Sequence, residues 1–256
     1  MPLLLQGVSV RHGQAFALSD VSLTIEQGQQ IALIGPSGAG KTTLLHTMAC
    51  ALRPGLGELT AFGLLPWSLS HAQRHKLRAR FFLAPQTPPL PPRQRVVTAV
   101  LAGCLPQWSL TRALLSLFRP VEPDLAWEAL SRFNLQDKLY ARVDRLSGGE
   151  RQRCGLARLL VSKALVFLVD EPLSALDPVL SLQTLSVLQQ EAHERGATLI
   201  CSLHQVELAR CHFPRLIGLR CGQLVFDARS SEVTDQMIAD LYRHEPAPAA
   251  SLEVLQ

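Results

Sequence analysis

An α/β core around a mostly parallel sheet is the fold class this sequence predicts, and three observations predict it. A short apolar strand (29–34) runs straight into the glycine-rich run Gly35-Pro36-Ser37-Gly38-Ala39-Gly40-Lys41-Thr42, which opens a helix. Strands then alternate with helical segments toward the C-terminus, the order that builds a parallel sheet with crossover helices. The first strands alternate strictly and read as an antiparallel N-terminal sheet, while a long helical stretch reads as an insertion over about 87–162.

Taken in order, 3–10 and 21–25 show the two-residue period of half-buried strands, with Glu26-Gln27-Gly28 as a turn. Lys41 starts a helix that reaches about Cys50, with Leu44, Leu45 and Met48 inward, and Pro54-Gly55 and Gly57 break it. The buried strand 81–84 leads into Pro85-Gln86-Thr87-Pro88-Pro89-Leu90-Pro91-Pro92. Missing N–H groups and ring clashes keep that run from being helical. The pattern is helical from Val96 to about Leu139, with breaks near Pro106 and at 120–123, and again from 149 to 162. A continuous apolar strand, 165–169, ends in Asp170-Glu171-Pro172. The helix 178–195 begins with proline and stops before Gly196. A strand (198–202), a short helix (206–212) and a hairpin around Cys221-Gly222 follow, and 244–256 is a loose Pro/Ala tail.

A 256-residue chain that is 47% hydrophobic has ample material for a core, which excludes intrinsic disorder. The net charge of +4 is modest. Arg74, Lys76, Arg78, Arg80, Arg93 and Arg95 read either as a solvated face or as a surface for acidic lipid or a partner protein. No aromatic residues alternate with them, so nucleic acid is not an expected partner. The six cysteines lack C-x-x-C spacing and read mostly as small apolar residues of a reducing compartment. The start of the chain is not patterned as a signal peptide, and no apolar run reaches the ~18 residues of a membrane span.

The run 35–42 fits G-x-x-x-x-G-K-[ST], whose backbone N–H groups close around phosphates at a helix N-terminus. Chance alone produces such a match in roughly one chain in a hundred of this length, so by itself it says only that a nucleoside triphosphate binds. Gly38, Gly40, Lys41 and Thr42 offer N–H groups, Lys41 a point charge, and the Thr42 hydroxyl a ligand for Mg²⁺. Asp170 ends a buried strand, where a carboxylate needs a partner such as Mg²⁺. Far downstream, Leu146-Ser147-Gly148-Gly149-Glu150 opens a second helix with Ser147 as a natural N-cap.

Together these two motifs resemble the ATP-binding-cassette (ABC) ATPases, and the likeness covers about Leu3 to Arg243. The resemblance implies an ABC ATP-binding domain over 1–243 on a phosphate-loop NTPase core. It makes residues 35–43, Thr43 included, the ATP cradle, Glu171 the group that polarises the attacking water, and His204 the switch that hydrogen-bonds the γ-phosphate. Gln86 matches the family's Q-loop glutamine, which contacts Mg²⁺ and senses the partner. Ser174-Ala175-Leu176-Asp177 matches the loop at the dimer interface. Ser147 and Gly149 then touch the γ-phosphate held by a second copy, in a head-to-tail dimer that sandwiches two ATP molecules. The family's adenine-stacking tyrosine is replaced in Arg11-His12-Gly13, leaving His12, or secondly Phe16, as the platform.

Within the family the sequence is most similar to ATP-binding subunits of phosphonate-type importers. That likeness rests on Val100-Leu101-Ala102-Gly103 with the segment 106–119, on Ser202-Leu203-His204-Gln205-Val206, and on Gly222 through Arg243. It implies a motor at the cytoplasmic face of the inner membrane, two permease subunits and an extracytoplasmic binding protein. The same motor serving an amino acid, metal or lipid stays open, as does a soluble ABC ATPase without a transport task.

Overall fold

Strands that are apolar at every position need an apolar layer on both sides, and the sheet arrangement supplies two. The computed structural model describes residues 3–13, 15–118 and 121–243. The strands are β1 (Leu3–His12), β2 (Ala15–Ile25), β3 (Gln30–Ile34), β4 (Leu56–Ala61) and β5 (Phe81–Ala84). They continue as β6 (Val166–Asp170), β7 (Thr198–Ser202), β8 (Arg215–Arg220) and β9 (Gln223–Arg229). The helices are α1 (Lys41–Met48), α2 (His71–Arg78), α3 (Val96–Leu101), α4 (Leu110–Phe118) and α5 (Pro123–Ser131). After them come α6 (Gly148–Leu160), α7 (Pro178–Arg195), α8 (Val206–His212) and α9 (Asp235–Tyr242).

The main sheet has the order β5-β6-β7-β3-β8-β9, parallel except for the last pair, and the order β2-β1-β4 makes a separate antiparallel sheet. Alternate residues of the central strands enter different cores. Ile31, Leu33, Leu168, Ile200 and Ile217 join α1 and the antiparallel sheet. Ala32, Phe167, Val169, Leu199 and Cys201 face the layer built by α3, α5, α6 and α7. Parallel register sets the carboxyl ends level, pairing Asp170 with Ser202 and Ser202 with Leu33. Ligands of open α/β sheets bind at that edge.

Between β5 and β6 the described regular structure is entirely helical. There the 3₁₀ turn that follows α3 (Ala102–Gln107) approaches α6 closely: a Cβ on Gly103 would lie 2.1 Å from the Arg158 carbonyl oxygen. The far end of α6 is held by Arg195, whose guanidinium donates to the carbonyls of Ser162 (2.6 Å) and Leu160 and pairs with the buried Glu191. The proline segment seats on α6 as well, since a Cβ on Gly155 would come 2.6 Å from Pro88 Cγ. Four cysteines are buried, and burial pushes the thiols of Cys50 and Cys154 up to about 12, so they pack as small apolar groups.

Several elements differ from the sequence expectation. The helix after the phosphate loop ends at Met48, and Cys50 takes a left-handed φ of 56°. The stretch 96–139, by contrast, is broken as expected: a 3₁₀ turn at Ala102–Gln107 that contains Pro106 follows α3, and α5 starts anew at Pro123 after α4. β4 was not expected, because its glycine and exposed first half carry no two-residue period; pairing with β1 makes it a strand. α2 buries only Leu77, yet Ser70 and Gln73 close a capping box at its start. α9 begins on Thr234, whose hydroxyl accepts from the Met237 N–H at 3.2 Å. The expected tail, 244–256, lies outside the described residues.

Gly103→Ala should force the 3₁₀ turn after α3 away from α6 and destabilise the chain by about 1–3 kcal/mol. Urea unfolding checks this, and an unchanged midpoint would show that the turn and α6 tolerate separation.

Candidate functional site

The cradle follows from β3 running into a loop that only glycine can close. Gly40 has φ 102°, and a Cβ there would sit 2.4 Å from the Ala17 carbonyl oxygen. Gly40 is also the N-cap of α1 and offers no side-chain cap, so the first N–H groups of the helix point into the loop. Lys41 is buried, and its Nζ donates to the carbonyls of Gly35 (2.7 Å) and Pro36 (3.0 Å) across the same loop. The resulting cavity, about 220 Å³, is lined by Ala17, residues 37–43 and Glu171. Donors, a helix dipole and an ammonium surround one concave space, an arrangement suited to a polyanion.

Beside it, strand register builds a carboxylate centre. Asp170 is 5% exposed, and its two oxygens accept from Thr42 Oγ1 at 2.7 Å and Ser202 Oγ at 2.5 Å. Glu171 sits at a left-handed φ of 48°, which costs a residue with a Cβ about 1–3 kcal/mol. Its backbone is held at both ends: the N–H donates to Ser202 Oγ (2.9 Å) and the C=O accepts from Gln152 Nε2 (2.8 Å). Its carboxylate is held too, by Gln86 Nε2 at 2.6 Å and His204 Nε2 at 2.5 Å. A second cavity, about 140 Å³, opens on the far side of Glu171 between Ser174, Ser202 and His204.

The chemistry of these donors fits a hard divalent cation. A buried carboxylate whose described partners are two neutral hydroxyls leaves its charge uncompensated. Among the described residues no three His, Cys, Asp or Glu side chains gather into a cage. Magnesium needs none, taking one or two carboxylates with phosphate oxygens and water.

The sequence-predicted residues divide into groups. Gly35, Pro36, Ser37, Gly38, Ala39, Gly40, Lys41, Thr42 and Thr43 form the loop and helix start, and Asp170, Glu171, Gln86 and His204 converge beside it. Gln86 and His204 meet Glu171 here. Ser147 and Gly149 do not line the cradle of their own chain. Ser147 is exposed and caps α6, its Oγ accepting from the Glu150 N–H at 3.2 Å. Gly149 lies against the next loop, where a Cβ would be 2.9 Å from the Ala175 carbonyl oxygen. Asp177 caps α7 by accepting from the Leu180 N–H at 3.0 Å. His12 is exposed at the end of β1, while Phe16 carries the Arg11 guanidinium 4.4 Å above its ring. Sequence reasoning missed Ser202 and Gln152 as site residues. Ser202 could have been found as a polar residue ending an apolar strand; Gln152 left no local signal.

Phosphate cradle and carboxylate pair together, at the carboxyl edge of a parallel sheet, define a nucleoside-triphosphate hydrolase. The chain belongs to the ABC transporter family, which matches residues 18–174, and it is an ATP-binding ATPase. It is 55% identical over 261 residues to "Phosphonates import ATP-binding protein PhnC 2" of Albidiferax ferrireducens, covering 99% of this chain and 94% of that protein. It is 56% identical to "Phosphonates import ATP-binding protein PhnC" of a Polaromonas species, over 94% of this chain and 89% of that one. Among solved structures it is similar to the ATP-binding cassette MJ0796, a dimer in a post-hydrolysis state bound to ADP and Pi. That match has a TM-score of 0.77 and 25% identity, over 89% of this chain and 98% of the other.

Ser202→Ala removes the acceptor of the Glu171 N–H and a donor to Asp170 at once. The chain should lose about 1–3 kcal/mol of stability and turn over ATP more slowly. Denaturation and steady-state ATPase assays check both, and wild-type values in both would remove Ser202 from the site.

Proposed function

We propose that two copies of this chain form the ATP-driven motor of an importer for phosphonate or a related oxyanion. The observation that carries the substrate class is identity above half, along nearly the whole chain, with proteins named as phosphonate import ATP-binding subunits. The motor itself is supported by the convergence of Lys41, Thr42, Asp170 and Glu171 on one cavity edge.

ATP enters the cradle with its phosphates against the N–H groups of residues 38–43 and the Lys41 ammonium. Thr42, Asp170 and Gln86 would hold Mg²⁺, which neutralises charge on the phosphate oxygens. Glu171 accepts a proton as water attacks the γ-phosphorus and the bond to the β–γ bridging oxygen breaks. Its two oxygens each accept one bond, from Gln86 and His204, and each keeps a second lone pair with which it can accept from water. His204, once released, can donate to the γ-phosphate. The open helix start at Ser147, Gly148 and Gly149 supplies a second set of donors, and a second copy placed head-to-tail brings them onto the γ-phosphate. His12 is the platform for adenine, with Phe16 as the second choice.

ATP thereby favours the closed pair over separate chains, and hydrolysis removes that preference. Closure shifts the loop at Gln86 and the proline segment seated on α6, which drive the permease. No described helix is long and apolar enough to cross a membrane. The chain then works from the cytoplasmic face of the inner membrane, with an extracytoplasmic binding protein delivering the substrate.

ATPase activity of the reconstituted motor–permease complex should rise when binding protein loaded with a phosphonate is added. Binding proteins loaded with amino acids should not raise it, and a Lys41→Ala motor should not respond. Equal stimulation by an amino-acid-loaded binding protein would overturn the substrate assignment.

A further inference from the structure

Gln152 occupies a position that the reaction as described does not use. It sits in α6, five residues after Ser147, which is about 7.5 Å along a rigid helix axis. Its side chain is 4% exposed and its amide is engaged on both sides. Nε2 donates to the Glu171 carbonyl at 2.8 Å and to Ser174 Oγ at 3.3 Å, while Oε1 accepts from the Ala175 N–H at 3.2 Å. The Ser174 hydroxyl in turn donates to the Glu171 carbonyl at 3.3 Å. A second contact fixes the same two segments, because Gly149 lies against the Ala175 carbonyl so closely that a Cβ would not fit.

Consequently the first turns of α6 and the loop 171–176 are joined at two points and shift together. The loop begins with Glu171, whose left-handed backbone persists only where its surroundings over-determine it. Ser202 fixes one end of that residue from the sheet, and Gln152 fixes the other from α6. α6 is the element of the two whose N-terminus faces outward, with Ser147 and Gly148 exposed.

We infer that Gln152 is a positioning residue that transmits the placement of the Ser147 helix to Glu171 of the same chain. The nucleotide capped by one chain's α6, held in the other copy's cradle, thereby adjusts the hydrolytic centre of the chain that caps it. This rests on the split-site reading under Proposed function and adds a link within one chain between the two sites. A purely structural amide would lower stability and leave the effect of Glu171 independent. A positioning amide acts through Glu171, so its loss disappears when Glu171 is already disabled.

The test is a double-substitution cycle on the full chain with Mg-ATP, read by steady-state and single-turnover hydrolysis. Gln152→Leu should lower kcat about 10- to 100-fold, the size of effect that a small misplacement produces, with little change in KM for ATP. Added to Glu171→Gln, it should slow hydrolysis no further. Unchanged kcat in Gln152→Leu, or losses that multiply in the double variant, would overturn the inference. Should Gln152→Leu fail to fold, Gln152→Glu takes its place in the cycle: it keeps an acceptor for Ala175, and its carboxylate has no donor for the Glu171 carbonyl. If Glu171→Gln alone hydrolyses at the wild-type rate, the proposed function itself falls. An inactive Glu171→Gln with a fully active Gln152→Leu removes only the link.

Discussion

Everything at the carboxyl edge of the sheet hangs on one buried hydroxyl. Ser202 donates to Asp170 and accepts from the backbone of Glu171, so a single oxygen sets the direction of both acidic residues. Parallel register puts it there, with Asp170 and Ser202 as partners at the ends of neighbouring strands. Asp170 uses its remaining oxygen on Thr42, which ties the sheet edge to the start of α1 and hence to the phosphate cradle. Two adjacent carboxylates therefore look into different environments: Asp170 is buried among hydroxyls, while Glu171 is turned toward an amide and an imidazole by its left-handed backbone.

This geometry separates binding from chemistry. Lys41 and the N–H groups of the loop are set by backbone shape, which glycines at tight contacts enforce. Glu171 is set by four neighbours drawn from four parts of the chain: Gln86 after β5, Gln152 in α6, Ser202 in β7 and His204 after it. Those parts include the proline segment that packs on α6 and the helix that opens outward at Ser147. A shift in either is felt at the carboxylate.

Much of this was legible in the sequence, for a definite reason. The phosphate loop, the Ser147 helix start and the Asp170-Glu171 pair are encoded in contiguous residues whose backbone shape and chemistry coincide. The continuous apolar strands likewise announce a sheet covered on both faces. What escaped depends on contacts distant in sequence. β4 exists through its pairing with β1, and Gln152 matters through a carbonyl 19 residues away. α4 shows the limit of periodicity in another way. Its helical pattern was readable, yet Leu110, Leu114 and Leu115 point outward and Ser116 is buried, because apolar spacing says nothing about which side a helix presents. At Glu171 a left-handed glutamate breaks the local rule, and such breaks gather at sites of function.

The central claim is that each hydrolytic centre is completed by the α6 of a second copy, and cross-linking tests it most directly. A full-length chain carrying Ser37→Cys and Ser147→Cys, with the exposed Cys211 and Cys221 changed to serine, would be oxidised mildly with and without Mg-ATP. The account predicts a covalent product of twice the chain mass that forms with Mg-ATP and requires both introduced cysteines. A product confined to single chains, or no nucleotide-dependent doubling, would contradict it.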